Sequence, residues 1–394
     1  MNWTDARGAE AVGAAAPSAV PNESAVRGTE SGMPDFALST GRGTLEASGV
    51  RERVSEGRAA QAAAEHESVV VGMLPFDPEG EPLLFVPERA AWTTRNEGPL
   101  PPFDVARPTA AHGLDSQIYR DAVALAVARI HEGTLDKVVL SRALDLCYDA
   151  QTIDPEAVYR NLLALYSTAY VFSVRNPSTG EYVMGASPEL VVGAEDGRCS
   201  THPLAGSSAR RTADGPTEDA QAGEALLRSA KDRAEHATVV DDIAARLGPL
   251  CASLTVPPAP TLLATPQLWH LGTAMSGTLR PGVTALDAAR AVHPTPAICG
   301  MPRNEALDLI REVEPYERGF YGGLVGWMDQ HGNGEWALNL RSGRVGEGRA
   351  TLCAGAGIVS GSTPQNEHHE TAVKLSTFLA ALGLDLDDVA AVSR

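Results

Sequence analysis

Residues 135–142 read "LDKVVLSR", and the stretch alternates with the period of a β-strand. Leu135, Lys137, Val139 and Ser141 fall on one face, and Asp136, Val138, Leu140 and Arg142 fall on the other. If the first face points inward, the Lys137 ammonium is aimed into the protein. Immediately upstream, "DSQIYRDAVALAVARIHEG" predicts a helix, with Asp115 or Ser116 as its cap, small apolar residues at helical spacing and Gly133 as its stop. That helix delivers the chain directly to the Lys137 strand.

Working outward, "ESVVVGMLPFDPEGEPLLFVPE" predicts a hairpin around the Asp77-Pro78-Glu79-Gly80 turn signal. Asp154 as N-cap and Pro155 at the first helical position mark a helix in "DPEAVYRNLLALYS". Two further hairpins follow, "YVFSVRN" with "YVMGAS", and "ELVVGA" with "RCSTHPLAG". A long helix is expected from about Glu218 to Leu247 and a last one from about Gln365 to Leu382. Strands recur at "YGGLVGWMD", "EWALNLRSGRV" and "ATLCAGAGIV". Runs of strands punctuated by a few long helices indicate an α+β fold of mostly antiparallel sheet. Residues 1–65 are dominated by Ala, Gly, Ser, Glu and Arg, a composition that buries too little surface to offset ordering entropy. A flexible low-complexity leader is expected over 1–65 and a single catalytic domain over 66–390.

The 394 residues carry 32 Lys and Arg against 50 Asp and Glu, a net charge of −18 that repels nucleic acid and anionic membrane. The five cysteines are scattered, with no C-x-x-C pair and an odd total, which argues against a disulfide framework or a zinc cluster and fits a reducing compartment. No secretory signal and no apolar run of about 18 residues is present, so a cytoplasmic protein is expected.

Two predicted helices each carry an acidic pair at i, i+3: Asp232 and Glu235 in "SAKDRAEHATVV", and Glu367 and Glu370 in "NEHHETAVKLSTFL". Carboxylates converging from two helices repel unless a cation sits between them, and oxygen-only ligands select Mg²⁺ over softer metals. The same spacing also fits two solvated faces, with Glu370 and Lys374 as an ordinary i, i+4 pair. No H-E-x-x-H spacing accompanies the neighbouring histidines.

The motifs "LDKVVLSRALDL", "GASPELVV", "HPLAGSSARR", "KDRAEH", "LWHLGTAMSGTL", "HPTPAICGMP", "EPYERGFYGGLVGWMD", "GEWALNLRSGRV" and "AGAGIVSGSTPQNEHHETAVKLSTFL" occur in the order seen in chorismate-utilising enzymes. Over about residues 66–390 the chain resembles the isochorismate synthases of catechol-siderophore pathways. The resemblance implies one large α+β domain that converts chorismate to isochorismate by water attack at C2 with departure of the C4 hydroxyl, while Mg²⁺ holds the ring carboxylate. It makes Lys137 the general base for water, provided that burial makes a neutral amine accessible. An edge-strand lysine that discourages aggregation is the alternative for Lys137 taken alone. It makes Glu189 of "ASPEL" the general acid. Glu235 and Glu370 become the Mg²⁺ ligands, with Asp232 and Glu367 nearby through water; many relatives have glutamate where this chain has Asp232.

For the substrate, the resemblance implies that Arg341 grips the enolpyruvyl carboxylate. Gly206, Ser207, Tyr321, the backbone of Gly355, Ala356 and Gly357, and Lys374 complete the pocket, with Ala297 and Ile298 on its wall. His293 either orients the leaving group or sits satisfied in the core, and His270 weighs toward the core. No amidotransferase region fits in the chain, and a monomer is expected. Salicylate synthases, which share the lysine and the acid but eliminate pyruvate from bound isochorismate, are the alternative. Menaquinone-pathway isochorismate synthases and a non-catalytic descendant that binds a chorismate-like ligand stay beside it.

Overall fold

The computed structural model describes residues 32–95, 102–149, 153–265 and 268–393. The chain opens with β1 (Phe36–Thr40), β2 (Gly43–Val54), α1 (Ala59–Glu65), β3 (Val69–Leu74), β4 (Leu83–Thr93), β5 (Ala110–His112) and α2 (Gln117–His131). Next come β6 (Lys137–Cys147), α3 (Pro155–Leu165), β7 (Tyr170–Arg175), β8 (Tyr182–Ser187), β9 (Leu190–Glu195), β10 (Arg198–Thr201) and β11 (Leu204–Ala209). The middle holds α4 (Pro216–Arg228), α5 (Ala230–Leu247), β12 (Cys251–Thr255), β13 (Thr261–Ala264), β14 (Leu268–Gly272), β15 (Met275–Leu279) and α6 (Ala285–Val292). It ends with β16 (Gly300–Met301), α7 (Arg303–Val313), β17 (Leu324–Asp329), β18 (Gly334–Leu338), β19 (Ser342–Gly346), β20 (Arg349–Ile358), α8 (Pro364–Ala381) and α9 (Leu386–Val392).

The strand pairs are antiparallel and form one folded ribbon. Along one half, β6 pairs with β20, β20 with β19, β19 with β8, β8 with β7 and β7 with β1. Strand β1 then pairs with β2, which opens the second half through β4, β3, β17, β18, β9, β10 and β15. The two halves enclose a core of Phe36, Leu38, Phe85, Phe172, Val325 and Trp327. Helices α3 and α8 cover the outer face of the first half, α1 and α6 pack against the second, and α2 and α7 pack beside β6. Side-chain alternation explains the layering: Phe36 and Leu38 enter the inner core while Ala37 enters the outer one. A smaller sheet, β11-β14-β13, stands apart with α4 and α5 against it.

Two expectations require correction. Residues 36–65 are not a flexible leader: β1, β2 and α1 lie there, and β1 is hydrogen-bonded on both edges. Its few large side chains suffice because both faces of a central strand are buried, and Phe36, Ala37 and Leu38 are fully enclosed. The remainder of the expected leader, residues 1–31, lies outside the described residues. The helix expected over Glu218–Leu247 is two helices, broken at Ser229. That residue leaves helical geometry with ψ 114°, ends α4, and caps α5 by accepting from the Asp232 N–H. Among the described residues no helix is long and apolar enough to cross a membrane.

Candidate active site

A cavity of about 230 Å³ lies between the smaller sheet with α5 on one side and β6, β20 and α8 on the other. It gathers Lys137, Glu189, Gly206, Ser207, Asp232, Glu235, Ala297, Ile298, Tyr321, Arg341, Gly355, Gly357, Glu367, Glu370 and Lys374. These come from segments up to 237 residues apart in the chain, counted from Lys137 to Lys374. Two expected members lie elsewhere. Ala356 is fully buried with its side chain on the opposite face of β20, as period-2 alternation between two cavity-facing glycines requires. His293 is buried outside the cavity, with Nε2 3.2 Å from the Pro75 carbonyl, and burial holds its imidazole down at about 3.

Lys137 is 6% exposed and makes a 2.5 Å ion pair with Glu235 Oε1. The burial anticipated for it is present, and with it a carboxylate partner from α5 that strand periodicity does not reveal. Gly357 allows this approach: a β-carbon there would sit 3.0 Å from Lys137 Cε and 3.5 Å from Glu235 Oε1. Glu189 follows Pro188 just before β9, and its N–H donates to Ser187 Oγ at 3.3 Å. Burial pushes its carboxyl up to about 8, only partly opposed by the Leu204 N–H and by the charges of Arg341 and Lys137. At neutral pH the group is therefore largely an acid with a proton to donate.

Arg341 sits where "EWALNLRSGRV" was expected to run as one strand. The residue takes φ 52°, which breaks the run into β18 and β19 and turns the side chain into the cavity. A left-handed conformation at a non-glycine residue costs on the order of 1 kcal/mol, and such strain collects at functional sites. Among the described residues its guanidinium has no ion pair, so a half-buried cation faces the cavity. Lys374 Nζ reaches Glu370 Oε1 at 2.5 Å and the Gly355 carbonyl at 3.0 Å.

Opposite Gly355 and Gly357 on β6, Ser141 donates its N–H to Glu314 and Val139 donates its N–H to the Cys299 carbonyl, so both turn away from β20. In this antiparallel register the two glycines correspondingly turn their own N–H groups to the other edge, which β19 leaves uncovered beyond Leu352. Small residues with outward amides suit a carboxylate.

The four acidic residues expected to bind Mg²⁺ all line this cavity. Their chemistry, carboxylate oxygens only and from two helices, fits a hard divalent cation. They are not, however, gathered on a single point: among the described residues no three His, Cys, Asp or Glu side chains are placed to hold an ion. Glu235 turns to Lys137, Glu370 to Lys374, and Asp232 accepts from the hydroxyl of its own helix cap, Ser229. Like charges at close range recruit the nearest cations, and here those are the lysines. Burial and the neighbouring Glu370 raise the Glu367 carboxyl.

His270, weighed toward the core from sequence, lines the cavity, with Nδ1 2.7 Å from Ser207 Oγ and Nε2 buried with no partner among the described residues. Burial holds it neutral, down at about 3. Its place on β14, paired with Ser207 across the smaller sheet, is a long-range consequence that "LWHLG" does not carry. Lys231 and Arg318 also reach the lining and were not singled out from sequence. The i, i+4 pair of Glu314 and Arg318 in "EPYERGF" was the available signal.

Residues 87–383 match the family model described as "Chorismate binding enzyme". The isochorismate synthase DhbC of Bacillus subtilis (strain 168) is 40% identical over 348 residues, covering 84% of this chain and 85% of that protein. A Mycobacterium tuberculosis chain carrying the isochorismate synthase name MenF is 44% identical over 371 residues, covering 89% and 97%. The crystal structure of Bacillus anthracis DhbC, described as a 2,3-dihydroxybenzoate-specific isochorismate synthase, superposes with a TM-score of 0.82 at 36% identity, covering 89% of this chain and 96% of that one.

Proposed function

The chain belongs to the chorismate binding enzyme family, and from that premise we propose that it is an isochorismate synthase that adds water at C2 of chorismate and releases the C4 hydroxyl. The observation that carries the reading is the pairing of roles in one cavity: a buried carboxyl held protonated at neutral pH, Glu189, and a buried amine, Lys137. An isomerisation that takes hydroxide in at one carbon and expels it from another needs a base and an acid together. Released from Glu235 and in its neutral amine form, Lys137 takes the proton of the attacking water, and Glu189 donates its proton to the departing hydroxyl. The unpaired guanidinium of Arg341 and the outward amides of Gly355 and Gly357 receive the substrate carboxylates. Ala297 and Ile298 exclude water from the ring, and Tyr321 adds a hydroxyl beside Gly355.

Asp232, Glu235, Glu367 and Glu370 would hold Mg²⁺, which when bound supplies a Lewis acid for the ring carboxylate. Holding it requires Glu235 and Glu370 to turn from their lysine partners. We assign the catalytic unit to the whole fold from β1 onward, because β1 joins the two halves of the ribbon. We further assign the enzyme to the cytoplasm as a monomer without an amidotransferase partner, consistent with its free cysteines. Likeness to the 2,3-dihydroxybenzoate-specific relative supports a product destined for that acid and for siderophores.

The test is product identification. Purified protein incubated with chorismate and Mg²⁺ near neutral pH, with no added lyase, is expected to yield isochorismate by chromatography and mass. Salicylate and pyruvate rising in step with chorismate loss would replace this reading by the salicylate synthase alternative, and no product would favour a non-catalytic ligand-binding protein.

A further inference from the structure

Strand β6 has a gap in its outer edge beside the cavity. Along the edge away from β20, β16 pairs with Lys137 and Val138, and β5 pairs with residues 145–147. Between these two short strands the Val139 N–H donates to the Cys299 main-chain carbonyl at 2.8 Å, while the Val139 carbonyl and the Ser141 N–H face no strand. Side chains take its place. The Ser141 N–H donates to Glu314 Oε1 at 2.7 Å, and the Ser141 hydroxyl lies 3.0 Å from both Glu314 oxygens. The Val139 carbonyl accepts from Arg318 Nη2 at 2.6 Å, while Arg318 Nη1 donates to the Ile298 carbonyl at 3.0 Å.

The two side chains are joined by paired bonds, Nη2 to Oε1 at 2.5 Å and Nε to Oε2 at 2.8 Å, and each is only 3% exposed. The guanidinium also lies 4.2 Å from the centre of the Phe76 ring, which closes its remaining face. A buried ion pair of this kind does little for net stability compared with an apolar pair of the same volume, because two charges must leave water. Its geometry is nevertheless demanding. A planar fork fixes four oxygens at once, one on β6, one on the 297–299 segment and two on Glu314, and a lysine cannot reproduce that.

We propose that Arg318 and Glu314 are positioning residues for the reaction: together they lock the backbone at Val139, two residues beyond Lys137 on the same face of β6, to the Ile298 wall of the cavity. The amine of Lys137 and the apolar wall that faces the substrate are thereby held in one rigid frame. The inference rests on the isochorismate synthase reading for its kinetic consequence but not for its structural one.

Two variants test it, R318K, which keeps the charge and loses the fork, and E314L/R318M, which removes both charges so that no buried ion is left unpaired. Hydrogen exchange followed by mass spectrometry is expected to show at least tenfold faster exchange confined to peptides spanning 137–142 and 297–299. Chorismate turnover is expected to lose at least tenfold in kcat with KM changed less than threefold, because the substrate-holding groups are left in place. Exchange indistinguishable from wild type in those peptides overturns the proposal whether or not the protein turns chorismate over. So does a kcat within twofold of wild type, or a loss expressed mainly in KM. A wild type with no activity but with the expected exchange pattern in the variants rejects the assigned reaction and leaves the positioning frame standing.

Discussion

Replacing Glu189 with glutamine is expected to stabilise the protein while abolishing its chemistry. Burial carries the Glu189 carboxyl from 4.5 to about 8. Below pH 4.5 the group is protonated in both folded and unfolded chains and contributes no difference. Between pH 4.5 and 8 the unfolded chain ionises freely while the folded chain keeps its proton, so folding loses stability as pH rises, up to a plateau above the folded value. At about 1.36 kcal/mol for each pK the full excursion sets an upper limit of about 5 kcal/mol.

Water entering the cavity and the new amide group of glutamine both reduce that figure, and about 2 kcal/mol at pH 8.5 is the expected gain. Denaturant unfolding of wild type and Glu189→Gln between pH 4.5 and 9 measures it directly. The two proteins should be nearly equal at the acid end and diverge steadily toward alkaline pH. A constant difference across the range, or a variant less stable at pH 8.5, would refute the buried neutral acid. In parallel, kcat of the variant should fall by about 10²–10⁴-fold, since amide replaces acid.

For the wild type, kcat/KM should decline on the alkaline side with a midpoint near pH 8 as Glu189 gives up its proton, seen in a pH profile with chorismate; a rate constant from pH 7 to 9.5 would place the acid elsewhere. Lys137→Ala is expected to lose about 10²–10⁴-fold in turnover with the far-ultraviolet dichroism unchanged. Glu235→Ala and Glu370→Ala should each abolish Mg²⁺ binding by calorimetry, and full wild-type activity in excess chelator would contradict the metal assignment. Phe36→Ala should cost about 3–5 kcal/mol in denaturant unfolding, because that side chain is fully enclosed in the core between the two sheet halves, whereas a flexible leader would register no loss.

Local patterns were enough for most elements of this fold. The strand at 137–142, the Asp77–Gly80 turn, the Ser116 and Asp154 caps and the helical placement of the i, i+3 acidic pairs all depend on neighbours within a turn or a hairpin, and each forms where its residues predict; the strand is buried on both faces rather than half-buried, and the acidic pairs line the cavity without meeting at one point. The order of motifs likewise pointed to most of the cavity lining, including Lys137, Glu189, Arg341 and Lys374.

Tertiary packing decided the rest. Strand β1 looks too poor in large apolar groups to fold, and it folds because pairing on both edges satisfies its backbone and buries both of its faces. The break at Ser229, the left-handed turn at Arg341 and the outward turn of Ala356 follow from how segments must meet around the cavity rather than from their own periodicity. The exchange of roles between His270 and His293 has the same origin: both are buried histidines in apolar surroundings, and only the placement of β14 beside β11 brings one of them to the cavity. Sequence fixes which charges exist, but which carboxylate meets which ammonium, Glu235 with Lys137 and Glu370 with Lys374, depends on distances set by two helices and two strands closing on one space, because electrostatic partners are chosen by proximity in the folded chain.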